Sequence, residues 1–176
     1  MGGSERVRAV AAAALAAMCS AVALGAQNAD TKALQQFRLT TEGLHRMEAV
    51  AQALSRTLAT DPSARKALED AEDASSDTAT LSDMAATLAK IPPVAAAIKT
   101  GGMTPGEFAT FEMSMLQASM AVAMIKAGGG ANSVPVEVPA ENVKFVQDHQ
   151  AEITRLAQQL QSGQQKVAIG PHRPEA

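Results

Sequence analysis

Apolar residues recur every three or four positions along much of this chain, which is the spacing of one face of an α-helix. The clearest early face consists of Leu44, Met47, Ala51, Leu54 and Leu58. Thr40 precedes this face as a candidate N-cap, and Asp61-Pro62 ends it, because Asp caps a following helix and Pro is tolerated in a first helical turn. No segment alternates apolar and polar residues as a strand would, so the pattern predicts an all-α fold.

The same pattern extends to the other segments of the chain. It predicts further helices at about 62–74, 80–91, 104–127 and 140–161, with shorter helical stretches at 27–38 and after Pro93. We therefore expect a four- to five-helix bundle that forms one domain. The predicted layout is a helical domain at 27–162 with a flexible linker at about 128–139, followed by a disordered tail at 163–176.

The helix predicted at about 104–127 is expected to be the centre of the bundle. Thr104-Pro105-Gly106-Glu107 has the pattern of a capping box, with Pro at the first helical position. Two apolar faces follow, and only Thr110, Ser114 and Gln117 form a polar strip between them. A helix that is apolar nearly all round is typically buried. A transmembrane helix is the alternative, but charged residues interrupt the segment, so we expect no integral membrane span after signal cleavage.

Residues 1–26 are typical of a secretory signal peptide, which places the protein in the periplasm or outside the cell. Arg6 and Arg8 are followed by an uncharged stretch at 9–24 and then by small residues that suit cleavage. Two alternatives remain open, a retained membrane anchor and a lipoprotein attached through Cys19. Cys19 is the only cysteine, so the cleaved chain has no thiol chemistry and no disulfides.

The composition of the cleaved chain excludes several classes of partner. Removing the signal takes away two basic residues and one acidic residue, so 13 basic and 17 acidic residues remain and the net charge is −4. An acidic chain without a basic run is unsuited to nucleic acid. There is no Trp, no Tyr and only four Phe for stacking on bases or sugars.

Catalytic and cofactor motifs are absent from the sequence, so we expect no cofactor and no enzymatic activity. The chain contains no nucleophile elbow, no phosphate-binding loop before a Lys, and no His-Glu-x-x-His. A less favoured hypothesis is an enzyme whose catalytic residues are far apart in the sequence and come together only in the folded chain.

Six residues are candidates for binding a metal ion. Met113, Met115, Met120 and Met124 crowd one helix, and thioethers suit Cu(I) in exported proteins. Methionine is also a common filler of hydrophobic cores, which is the competing interpretation. The other two candidates, His45 and His149, each precede a Glu by three residues, which allows a hydrogen bond or ion pair on one helix face.

The order of these elements is similar to that of a known kind of protein. The Leu39-Thr40 helix start, the stretch Gly-Gly-Met-Thr-Pro-Gly-Glu-Phe and the later Pro-Ala-Glu-Asn-Val-Lys-Phe-Val resemble small exported all-helical bacterial proteins of unknown function. The resemblance covers most of the cleaved chain and implies a helical fold and an exported location. Its motifs begin and end helices, so it assigns no functional residues.

These observations favour a non-enzymatic interaction or accessory protein of the cell envelope. Its expected partner is another envelope protein or a second copy of the chain. The alternative from a different class is a helical bundle that binds a small ligand, or Cu(I) through Met.

Overall fold

The computed structural model describes residues 28–74, 79–129 and 134–165, and these residues form helices and no strands. The helices are α1 Asn28–Gln36, α2 Thr41–Thr60, α3 Pro62–Asp73, α4 Leu81–Ala89, α5 Pro92–Thr100, α6 Pro105–Met124, α7 Ala140–Asp148 and α8 Gln150–Gln165. A π-helical turn at Ile125–Gly129 follows α6. The all-α class is confirmed, and the described residues form eight helices where four or five were predicted.

The helix starts lie where the capping residues predicted them. The Thr40 hydroxyl accepts a hydrogen bond from the Gly43 N–H at 3.0 Å. A complete capping box joins Thr104 and Glu107, and Pro105 is the first residue of α6. α4 also begins with a capping box, at Thr80, which the sequence analysis missed although the same Thr-x-x-acidic pattern is present.

The predicted helix at 140–161 is instead two helices that meet at His149. The backbone there leaves helical geometry, with φ −105° and ψ 19°. α7 packs against α6, whereas α8 packs against α2, so the break lets one segment cover two different helices. α8 continues to Gln165, past its predicted end. The predicted signal peptide at 1–26 lies outside the described residues, as do positions 130–133 of the predicted linker and the tail beyond 165.

The two long helices, α2 and α6, organise the packing of the described helices. α6 packs against α1, α4, α5 and α7, while α2 packs against α3, α5 and α8. They meet where Gly43 approaches Phe111, since a Cβ at position 43 would lie 2.6 Å from the Phe111 ring. The main core fills the space between these helices, and its most deeply buried side chains include Leu44, Met47, Ile98 and Phe111.

Asn142 joins the start of α7 to the α1–α2 connection. Its Oδ1 accepts a hydrogen bond from the Leu39 N–H at 2.9 Å, and its Nδ2 donates to the Phe37 carbonyl at 3.1 Å. The residue is 1% exposed. A buried polar side chain that satisfies two backbone groups fixes the α1–α2 connection against the start of α7.

α5 ends in close contact with the backbone of α2. A Cβ placed on Gly101 would lie 2.5 Å from the Val50 nitrogen and 2.8 Å from its Cα. Only a residue without a Cβ fits this approach.

Candidate functional site

One side of α6 carries the most distinctive surface in the described part of the chain. Met113, Gln117, Met120 and Met124 are spaced by four, three and four residues, so they lie on one helix face, which we call the methionine face. Met113 is 5% exposed, whereas Met120 is 56% and Met124 is 44% exposed. The first half of the face is therefore buried and the second half is open.

α1 and α4 cover the buried half of the methionine face. Leu34 of α1 and Met84 of α4 form a small apolar cluster with Ala109 and Met113. The Asp30 carboxylate accepts a hydrogen bond from the Leu81 N–H at 2.9 Å, which ties the start of α1 to the start of α4.

The expectation that α6 is buried nearly all round is therefore wrong for its last two turns. Asp30, near the start of α1, and Leu81, the first residue of α4, line the same cleft as Gln117. Both covering helices therefore begin near the level of Gln117. Met120 and Met124 lie past that level, where no described helix covers them. Within the predicted polar strip, Ser114 is buried. Its hydroxyl has no hydrogen-bond partner among the described residues.

A cleft opens at the boundary between the covered and the open halves. It is a small, half-open cleft with a cavity volume of about 40 Å³, lined by Asp30, Thr31, Leu34, Ala79, Leu81, Met84, Met113 and Gln117. The lining is mainly apolar with a few polar groups, which is the usual composition of a small-ligand site. Because one Asp30 oxygen already binds the Leu81 N–H, the Thr31 hydroxyl and the Gln117 amide are the freer polar groups of the lining.

The four candidate methionines do not form one metal site. At a rise of roughly 1.5 Å per residue, Met113 lies about 10 Å along the helix axis from Met120 and about 16 Å from Met124. Met115 points elsewhere and packs against the main core. Only Met120 and Met124, four residues apart, are neighbours. Two adjacent exposed thioethers form an apolar patch more readily than a coordination shell.

His149 has a structural role at the junction of α7 and α8. Its Nδ1 lies 2.9 Å from the Phe145 carbonyl oxygen, so Nδ1 carries the proton and donates, because a carbonyl can only accept. In the neutral ring Nε2 is then the acceptor, and it lies 3.4 Å from the Thr41 hydroxyl. The ring also stacks on Phe145 with centroids 4.1 Å apart.

The two predicted His–Glu pairs are replaced by other contacts. The hydrogen bonds of His149 join it to Phe145 and Thr41, while Glu152 Oε2 is buried with no hydrogen-bond partner in the described part of the chain. Glu48 bridges Arg155 of α8 at 3.6 Å. His45 is exposed on α2. Within 28–74, 79–129 and 134–165, no three His, Cys, Asp or Glu side chains are placed to hold a metal ion.

The resolved pKa shifts lie at helix ends and surface pairs. Hydrogen bonds from the Thr80 hydroxyl and N–H lower the pKa of Asp83 below its usual range, and those from the Thr104 N–H and hydroxyl do the same for Glu107. The hydrogen bond and charge of Asp70 raise the pKa of Lys66. These shifts come from helix caps and an i,i+4 pair, so they do not indicate catalysis.

Pro105–Gly128 is long and apolar enough to span a bilayer by length and composition alone. Half of its most apolar window is buried inside the fold. A helix that shares its apolar surface with neighbouring helices passes this test as readily as a membrane span does. The sequence alone does not indicate which half of this helix is covered by neighbouring helices.

No known family model, no curated protein and no solved structure matches this chain.

Proposed function

We propose that this chain is a non-enzymatic binding protein of the cell envelope, exported through its N-terminal signal, whose helices form one bundle around α6. The open half of the methionine face is its binding surface. The observation that supports this proposal is the exposure of Met120 and Met124 at 56% and 44% on a helix whose other large apolar side chains are mostly packed into the core.

The chemistry of this surface favours an apolar helix of another envelope protein as the partner. Methionine side chains are flexible and polarizable, and they adapt to differently shaped apolar partners. Ala123 and Ala127 are exposed beside Met120 and Met124, and small residues let a second helix approach closely. The only charged side chain in this part of α6 and its turn, Lys126, donates a hydrogen bond to Gln150 at 2.7 Å.

The exposed fractions of the two methionines set the scale of the interaction. Together they equal about one fully exposed methionine, whose burial contributes roughly 1.5–3 kcal/mol. Losing that contribution corresponds to a roughly 10- to 150-fold change in the dissociation constant. These two residues alone therefore support a transient interaction, and neighbouring contacts would add to it.

The test combines photo-crosslinking in intact cells with a binding measurement. A photoreactive amino acid at position 124 should crosslink a defined envelope protein, and the same probe at Lys99 on α5 should not. The purified apolar segment of that protein should then bind the chain from residue 27 onward. Met120→Gln together with Met124→Gln should weaken binding roughly 10- to 150-fold, while Lys99→Gln should leave it unchanged. Equal affinity of the double variant and the parent would refute the proposal.

A second candidate function is binding of a small apolar molecule in the cleft between α1, α4 and α6. The mainly apolar lining with Thr31 and Gln117 at hand supports it. Mass spectrometry and elemental analysis of protein purified from its native compartment separate this candidate from a metal-binding role. A stoichiometric apolar compound would favour the cleft, and stoichiometric copper would favour the methionines.

A further inference from the structure

Methionine is the side chain most open to chemical oxidation in the described part of the chain. Cys19, the only cysteine, lies outside the described residues, and the sequence has no Trp and no Tyr. An oxidant such as hydrogen peroxide therefore meets thioether sulfur as the main reactive group of the folded helices. The structure decides which of these thioethers it reaches.

The seven methionines of the described residues differ widely in exposure. Four are buried, with exposed fractions of 2–7%: Met47, Met84, Met103 and Met113. Met115 is half-buried and packs against the main core. Among the seven, Met120 and Met124 have the open side chains, at 56% and 44%. An oxidant reaches these two directly, whereas it reaches the four buried side chains only when the fold opens locally.

We propose that Met120 and Met124 form a methionine-oxidation site that switches off binding at the methionine face. In each reaction the thioether sulfur attacks one oxygen of hydrogen peroxide, the O–O bond breaks, an S–O bond forms and one water is released. The sulfur is oxidised to a sulfoxide while the peroxide is reduced, and sulfoxide reductases reverse the change. The loss of a partner rests on the proposed function, whereas the oxidation site itself can be tested without any partner.

Oxidation changes this surface strongly because two adjacent apolar side chains become polar together. Met120 and Met124 are four residues apart, so they are neighbours on α6. A sulfoxide oxygen accepts hydrogen bonds, but the exposed Ala123 and Ala127 beside it carry no side-chain donor. Covering such an acceptor with an apolar partner opposes binding, in addition to the lost apolar burial. Oxidation of both residues should therefore weaken binding at least as much as the double Gln substitution, by roughly 10- to 150-fold.

The first test maps oxidation in protein purified from its native compartment, with no partner present. Under limiting hydrogen peroxide, peptide mass spectrometry should show Met120 and Met124 converted at least about tenfold faster than Met47 and Met113. The circular dichroism signal should be unchanged at that stage, because both residues lie on the surface. Equal rates at the exposed and the buried positions, or a loss of helical signal in step with oxidation of Met124, would overturn the inference.

A variant that cannot be oxidised on this face tests the switch. Met120→Leu together with Met124→Leu keeps the surface apolar at a similar volume and removes both sulfur atoms. On a phenyl column, peroxide should shorten the retention of the parent, sulfoxide reductases should restore it, and the double Leu variant should not respond. Binding of the partner's apolar segment should follow the same pattern.

The outcomes separate this inference from the proposed function. Unchanged retention of the oxidised parent, or an equal loss of retention in the parent and the double Leu variant, would contradict the switch. If peroxide leaves partner binding intact although Met120 and Met124 are oxidised, the switch also fails. If no partner is found but the parent alone responds to peroxide, the proposed function fails and the oxidation site stands.

Discussion

Met113 and Met124 lie on the same helix face, and we expect opposite consequences when each is changed to Ala. Met113 is 5% exposed in the cluster with Leu34, Met84 and Ala109. Truncating a buried Met to Ala costs about 2–5 kcal/mol, from lost burial and the cavity that remains. The cleft beside Met113 opens to solvent, so water can enter the new space. We therefore expect the lower part of that range, about 2–3 kcal/mol.

Met124→Ala should change the free energy of unfolding by less than about 0.5 kcal/mol, because the side chain is 44% exposed and Ala is a good helix former. For a domain of this size, the difference of about 2 kcal/mol between the variants corresponds to roughly 4–8 °C in Tm. Urea denaturation of the chain from residue 27, followed by circular dichroism, measures both values under the same conditions.

The comparison would be refuted if Met124→Ala were as destabilising as Met113→Ala. That result would mean that Met124 is packed in solution, and the open half of the methionine face would not exist. If the expected contrast is found, Met124→Ala becomes a well-folded variant for the binding measurements, and any loss of binding can be assigned to the surface itself.

Three other changes test the packing and the helix caps. Gly101→Ala should destabilise the protein by several kcal/mol, because the new Cβ would lie 2.5 Å from a backbone atom of α2. Gly106→Ala is the control, since its Cβ would meet nothing within 4 Å, and it should be neutral or stabilise by about 0.5–1 kcal/mol. Thermal unfolding measures both. Asn142→Ala should cost about 2–3 kcal/mol in chemical denaturation, since it leaves two buried backbone groups without partners. Glu107 has a lowered pKa in the folded state, so the stability it contributes is present above its ordinary value of 4.5 and is lost as the pH falls through the lowered folded value. Glu107→Gln should therefore be less stable than the parent near neutral pH, by under about 1 kcal/mol because the group is exposed, and the two should be equally stable in strong acid. Unfolding measured across a range of pH tests this, and a stability difference that does not change with pH would contradict the capping role.

The local features of the fold could be predicted from sequence because each depends on a few neighbouring residues. The Thr104–Glu107 capping box and the Asp61-Pro62 boundary are confirmed as predicted. Such signals act within one helical turn, so no knowledge of the tertiary structure is needed to find them.

The candidate site could be predicted only in part. The spacing of the methionines placed Met120 and Met124 on an apolar face, but not on the surface. Their exposure depends on where α1 and α4 begin, and those helices lie roughly 35 to 90 residues earlier in the chain. The break at His149 was also missed, because neither Pro nor Gly marks it and the ring's contact with Phe145 forms only in the folded chain.

The hydrogen bonds of Asn142 also have a consequence for the timing of folding during synthesis. They reach back 103 and 105 residues, to Leu39 and Phe37. At a typical synthesis rate of about 5–20 residues per second, the α1–α2 connection waits roughly 5–20 s for the side chain that fixes it. During that interval the α1–α2 connection lacks these two hydrogen bonds, so the first helices cannot complete their native packing until α7 has been synthesised.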